Sequence, residues 1–200
     1  AQTSGFIKVS EIKDKLLENN KDINWVPAHL KEGRFAQGIE QAPEWCISRT
    51  RFWATPMPVW EAEDGDRIVI SSIKELEELS EQEVKDLHRP YIDEVTIEKD
   101  GKVYKRRSEV LDSWMEAGSM PYAQIHYPFE NKEKFEKNFP GDYIIEYMAQ
   151  VRAWGYVMHV LSTALFGKKS FKNVITTGTL MGSDGRKMSK SYDNFLNIFL

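Results

Sequence analysis

Two kinds of apolar pattern alternate along this chain. Ile12, Leu16 and Leu17 recur among charges between Gly5 and Asn20, which is the spacing of one helical face. Ile23-Asn24-Trp25-Val26, stopped by Pro27, reads as a short strand. Residues 59–62 and 67–70 flank Asp64-Gly65, so a hairpin is expected there; 94–98 and 102–106 predict a second around Asp100-Gly101. Between the two, Ser72 with Glu75 three residues later predicts a capping box and a short helix. Hairpin, helix and hairpin together read as a small inserted α+β module over 61–108.

The last third has a different rhythm. Asp142, just after Pro140-Gly141, is expected to cap a long helix reaching about Leu165, with 157–166 as its buried part. Val174-Ile175-Thr176-Thr177 is a β-branched strand that ends at Gly178. A helix, a buried strand and a glycine-containing loop make the half-unit of a parallel α/β sheet, whose ligands gather beyond the carboxyl ends of the strands. The fold class expected is therefore α/β, with the module set into it.

Composition narrows the function. The chain has 200 residues, 41% hydrophobic and 29% charged, which suits one globular domain or a domain with an insertion. A net charge of -4 excludes a surface that is basic throughout, yet leaves room for a local basic site. No apolar run approaches the roughly 20 residues a membrane helix needs, so no membrane association is expected. The first residues show no basic-then-apolar leader pattern. A single cysteine, Cys46, excludes an internal disulfide and a cysteine-rich zinc site, which fits a cytoplasmic setting. Cys46 has bulky apolar neighbours and no adjacent base, so it reads as a small buried hydrophobe. His29, His88, His126 and His159 lack metal-ligand spacing, so no metal site is expected. The chain starts without methionine and stops inside an apolar run, and it is expected to be a piece of a longer protein.

The chemistry concentrates in a few places. Lys187-Met188-Ser189-Lys190-Ser191 follows Gly182-Ser183-Asp184-Gly185-Arg186 just after the 174–177 strand. Two ammonium groups, two hydroxyls and the amides near Gly182 and Gly185 suit a triphosphate whose pyrophosphate is leaving. A solvated basic turn is the alternative, and the preceding strand and Gly178 weigh against it. Glu146, Gln150, Trp154 and Met158 recur every four residues and are expected on one helix face, where the Trp walls a pocket and the polar pair orients a ligand. A solvent-facing polar stripe fits that spacing equally well. Trp114 precedes Gly118 and Ser119, small residues that let a ligand come near the backbone, although a structural Trp fits too. Arg49 and Arg51, among Trp45, Phe52 and Trp53, suit phosphates or an RNA terminus, or cation–π contact.

Together these stretches resemble class I aminoacyl-tRNA synthetases, and most closely the isoleucyl branch. The lysine run is similar to the KMSKS signature, complete. Trp45-Cys46-Ile47-Ser48-Arg49, continuing through Arg51 to Trp53-Ala54-Thr55-Pro56-Met57-Pro58, resembles a segment of the branched aliphatic group, as do 110–121 and 139–154. The resemblance implies the later half of a Rossmann-like catalytic domain. Residues 1–60 would leave an editing insertion and re-enter that domain, and 109–200 would carry the signature loop. It further implies that Trp114 and Trp154 wall the isoleucine side chain, Gln150 places the amino acid's carboxylate, and Glu146 holds the adenylate ribose. Lys187 and Lys190 would act catalytically on the ATP phosphates, with Ser189, Met181 and Gly178 also at the nucleotide. L-isoleucine, ATP with Mg2+, and tRNA(Ile) are the implied partners. Tyr147, Ala149 and Ala153 depart from the pattern, which has glycine, aspartate and glycine there. No HIGH motif occurs, so this chain by itself is expected to be inactive. Valyl or leucyl branches, and a non-catalytic nucleotide- or RNA-binding module, are the competing expectations.

Overall fold

The computed structural model describes residues 4–195. The chain divides into two compact units: one joins the segment up to Ser10 with Pro43–Ala117, the other joins Glu11–Ala42 with the chain from Gly118 onward. Strand β1 (Phe6–Ile7) leads into helix α1 (Val9–Lys21), strand β2 (Asn24–Val26), a π-helical stretch over Lys31–Ala36 and a short helix α2 (Gln37–Glu40). Next come β3 (Trp45–Cys46), β4 (Ser48–Arg49), β5 (Val59–Glu61), β6 (Arg67–Val69) and α3 (Ile73–Ser80). A 3-10 turn over Tyr91–Glu94 precedes β7 (Thr96–Lys99), β8 (Lys102–Arg106), β9 (Val110–Leu111) and α4 (Ser113–Ala123). The rest is α5 (Lys132–Asn138), β10 (Gly141–Tyr147), a 3-10 turn over Met148–Arg152, α6 (Trp154–Phe166) and β11 (Phe171–Thr177).

In the first unit, an antiparallel sheet of order β6-β5-β8-β7 contains both expected hairpins. Asp100 and Gly101 hold φ of 52° and 76°, the left-handed pair that a two-residue hairpin turn requires. Trp60, Leu76, Ile97 and Tyr104 form the core of this sheet with α3, and the Trp60 indole N–H donates to the Val95 carbonyl at 2.8 Å. The Ser72 hydroxyl accepts the Glu75 N–H at 3.1 Å, as a cap should. The Glu75 carboxylate accepts from the Ser71 N–H at 2.7 Å, one residue earlier than a capping box has it. The Arg106 side chain is wholly buried, ion-paired with Asp93 and donating to the Glu109 carbonyl at 2.9 Å.

The second unit is built on a parallel sheet of order β10-β11-β2. Ile144, Val174 and Trp25 are in register on one face; Val174 and Trp25 are buried, and Ile144 is half-buried. Trp25 meets Phe35 at 4.8 Å between ring centroids, and Phe35 meets His159 of α6 at 5.3 Å. Ile145, Ile175 and Val26 are in register on the other face, 51%, 39% and 49% exposed. An α/β chain with a parallel sheet is thus what forms.

The long helix expected from Asp142 does not form as one element. Its first part is β10, and the helix begins only at Trp154. Tyr143, Ile144, Ile145 and Tyr147 are strand formers, and pairing with β11 satisfies their backbone groups, so the sheet outweighs the helical start signal of Asp142. Gly118 also has a packing role. A Cβ there would meet Leu161 Cδ1 at 2.8 Å and the Val157 backbone at 3.1 Å, so the glycine lets α4 approach α6 closely.

Candidate functional site

The lysine run leaves the sheet at the carboxyl end of β11. After Thr177 the chain passes Gly178, Thr179 and Leu180, all exposed, and folds back through an antiparallel bridge between Met181 and Lys187. The Gly182 N–H donates to the Arg186 carbonyl at 2.8 Å and the Gly185 N–H to the Gly182 carbonyl at 2.9 Å. These two amides, expected to be phosphate donors, are spent inside the loop. Gly185 takes φ of 72°, the left-handed turn that glycine makes cheaply. Asp184 accepts from the Arg186 backbone N–H at 3.0 Å and is ion-paired with the Arg186 guanidinium at 2.8 Å. The Arg186 N–H, and then the Asn194 amide, hold the Asp184 carboxyl below the usual carboxylate range. Ser189 and Ser191 pair their hydroxyls at 2.7 Å.

Lys187 and Lys190 are both exposed, and neither forms an ion pair among the described residues. Neither charge is paired within the described part of the loop. That leaves two ammonium groups for an incoming polyanion. Met181 is exposed beside them, and at Gly178 a Cβ would meet nothing within 4 Å.

Glu146, Gln150 and Trp154 do not share a helix face. Glu146 is on β10, half-buried and in register with Thr176. Gln150 is in the 3-10 turn, and its amide oxygen accepts the Trp154 N–H at 3.1 Å. That bond satisfies one of the free amides at the start of α6 and leaves the Gln150 NH2 as a donor. Trp154, half-buried, is the first residue of α6. Strand end, turn and helix start thus bring a carboxylate, an amide and an aromatic ring into one βα connection, a more compact grouping than the expected stripe. Ala153 permits this join with ψ of -102°, outside the usual helical range.

Trp114 belongs to the first unit, in the first turn of α4, and is 40% exposed. Just before it, Asp112 is buried, accepting the Trp45 indole N–H at 3.0 Å and pairing with Arg49 at 3.0 Å. Arg49 also donates to the Cys46 and Ser48 carbonyls at 2.7 and 2.9 Å, so this arginine is structural and its proposed phosphate contact lapses. The cation–π contact expected here is made instead by Arg89, 5.0 Å from the Phe52 ring centroid. Cys46 is half-buried, its thiol 3.6 Å from the Ser48 carbonyl.

The family model described as tRNA synthetases class I (I, L, M and V) matches residues 1–198. The chain belongs to the class I tRNA synthetases. Curated relatives named Isoleucine--tRNA ligase include that of Chlamydia abortus, 51% identical over 96% of this chain and 18% of that protein. The one from Protochlamydia amoebophila is 51% identical over 95% of this chain and 18% of its own length. The chain therefore spans under a fifth of these relatives' length. Among solved structures, the LeuRS–tRNA–LeuAMS complex of Agrobacterium radiobacter K84 aligns with TM-score 0.58 and 17% identity, over 84% of this chain and 24% of that one. Mycobacterium tuberculosis methionyl-tRNA synthetase bound by methionyl-adenylate gives 0.57 and 18%, over 98% and 30%. At these identities the shared property is the class I synthetase fold.

Within that fold, the described residues hold no group of three or more His, Cys, Asp or Glu placed for a metal ion. Asp184, three residues before Lys187, is already engaged by Arg186 and Asn194, and Asp193, three residues after Lys190, is exposed. The donor set among the described residues does not fit Mg2+. Among the described residues no helix is long and apolar enough to cross a membrane.

Proposed function

We propose that the protein carrying this chain is an isoleucine–tRNA ligase, acting in the cytoplasm on L-isoleucine, ATP and tRNA(Ile). The observation that carries this reading is the pair Lys187 and Lys190, without ion pairs among the described residues, on a loop leaving the carboxyl end of a parallel strand. The names and identity of the relatives favour isoleucine over valine or leucine. In the activation step an isoleucine carboxylate oxygen attacks the α-phosphorus of ATP. The bond from that phosphorus to the bridging oxygen breaks, and pyrophosphate leaves with the negative charge. Lys187 and Lys190 stabilise that charge as it develops, with the Ser189 hydroxyl, Met181 and Gly178 alongside the nucleotide.

The remaining roles follow from the side chains. The Gln150 NH2, left free by its cap to α6, donates to the isoleucine carboxylate. The Glu146 carboxylate accepts the ribose hydroxyls of the adenylate. Trp154 offers an aromatic face to the aliphatic side chain. Residues 61–108 form an inserted module, between a re-entry segment over 1–60 and the signature-bearing segment over 109–200. The exposed row Ile145, Ile175 and Val26 supports a longer parent, because a parallel sheet is normally covered on both faces.

Isoleucine-dependent ATP–pyrophosphate exchange by the full-length protein tests this reading. Exchange should be strongest with isoleucine and weaker with valine and leucine. Preference for valine or leucine would move the assignment within the family, and no exchange with any of the three would leave the non-catalytic module. This chain alone, which has no HIGH motif, should give no exchange.

A further inference from the structure

Asn194 lies outside the lysine run, three residues past Ser191, yet its side chain contacts four residues of the loop: Asp184, Arg186, Lys187 and Ser189. Its amide oxygen accepts the Ser189 N–H at 2.9 Å. Its amide nitrogen donates to the two Asp184 carboxylate oxygens at 3.0 and 3.2 Å. The same nitrogen reaches the carbonyls of Lys187 at 3.3 Å and Arg186 at 3.5 Å. One side chain thus fixes the backbone on both sides of Met188, at Lys187 and at Ser189.

Around it the loop has no slack. A Cβ at Gly182 would be 2.8 Å from the Asn194 side-chain nitrogen, the Asn194 carbonyl and the Asp184 carboxylate. The Arg186 guanidinium, paired with Asp184, lies 4.5 Å from the Tyr192 ring centroid and ties the far end of the loop to the same carboxylate. A primary amide meets both demands at once, its oxygen accepting the Ser189 N–H while its NH2 carries two hydrogens for the carboxylate and carbonyls. Aspartate has the same shape and lacks the donor.

We propose that Asn194 is a positioning residue for amino-acid activation, setting the loop form in which Lys187 and Lys190 face the phosphates of the nucleotide. It touches neither ammonium group and acts only through the backbone that carries them. This proposal rests on the functional reading above.

The test uses the full-length protein with Asn194→Ala, Asn194→Asp and the swap Asp184→Asn with Asn194→Asp. The single variants should lose roughly tenfold or more in kcat of isoleucine-dependent pyrophosphate exchange, with the isoleucine KM little changed. In Asn194→Asp two carboxylates face each other at about 3 Å, beside the Arg186 guanidinium, and must share a proton. Its deficit should therefore shrink as pH falls from 8 to about 6, and that of Asn194→Ala should not. The swap restores a donor–acceptor pair and should recover part of the loss. Trypsin should also cut after Lys187 and Lys190 several-fold faster in Asn194→Ala, which reads the loop without reference to activity.

Wild-type kcat in both single variants would overturn the proposal. A loss in Asn194→Asp that is flat with pH and unrelieved by the swap would do so as well. A wild-type protein that gives no exchange, or that keeps its rate when Lys187 is replaced by Ala, would overturn the functional reading instead. Full exchange sensitive to Lys187 but indifferent to Asn194 removes this proposal alone.

Discussion

Glu146 and Thr176 stand opposite each other in the parallel register of β10 and β11, one residue before the carboxyl end of each strand. They share the face of the sheet that carries Val174 and Trp25, both buried. The Thr176 hydroxyl is buried without a partner, and the lysine loop departs just beyond it. The carboxylate and the cationic loop therefore start from the same end of one sheet, where parallel α/β folds receive ligands.

Glu146→Gln keeps the shape of the side chain and removes its charge. A charge-assisted hydrogen bond to a ribose hydroxyl contributes about 1.5–3 kcal/mol. The KM for ATP in pyrophosphate exchange should rise roughly tenfold or more, with thermal stability unchanged. An unchanged KM would remove Glu146 from the nucleotide site.

Gly118→Ala should destabilise the fold without touching the proposed chemistry. The new methyl meets the Val157 backbone as well as the movable end of Leu161, so relaxation is limited. Overpacking of this kind costs about 1–3 kcal/mol. A drop in the urea midpoint with unchanged substrate KM values is the expected result.

His159 makes stability depend on pH. Its Nε2 lies 2.9 Å from the Leu16 carbonyl, which only accepts, so Nε2 carries the hydrogen; Nδ1 is buried without a partner. Burial pushes its pKa from 6.5 down to about 4, partly opposed by that hydrogen bond. Between those values the unfolded chain binds the extra proton, so stability is fully present above 6.5 and falls as pH drops toward 4. The loss should reach about 2 kcal/mol at pH 5. In His159→Gln, which keeps a donor for the Leu16 carbonyl, the stability change between pH 7 and pH 5 should be smaller by that amount. Parallel pH profiles for the two proteins would contradict it.

The local chemistry of the first unit was legible in the sequence because its signals are short-range. Asp64-Gly65, Asp100-Gly101 and Ser72 each dictate a turn or cap within a few residues, and each forms. Residues 142–152 depart from the helix their sequence predicts because Tyr143, Ile144, Ile145 and Tyr147 become strand only by pairing with β11, which lies about 30 residues later. The spacing of Glu146, Gln150 and Trp154 by four residues was coincidental, although the same βα connection still gathers all three. Charge and glycine marked the lysine loop itself. The role of Asn194 in closing it was invisible, since an Asn after a serine-rich turn carries no signal of which carbonyls it will reach.

The most direct measurement is the rate of isoleucine-dependent pyrophosphate exchange by the full-length protein with Lys187→Ala and Lys190→Ala, each compared with wild type. Each substitution removes one cation aimed at the leaving pyrophosphate, so kcat should fall roughly 100-fold or more. The isoleucine KM should stay within about threefold, because ground-state binding of the amino acid is not the lysines' task. Exchange rates within about twofold of wild type in both variants would show that the loop is a solvated basic turn, contradicting the account.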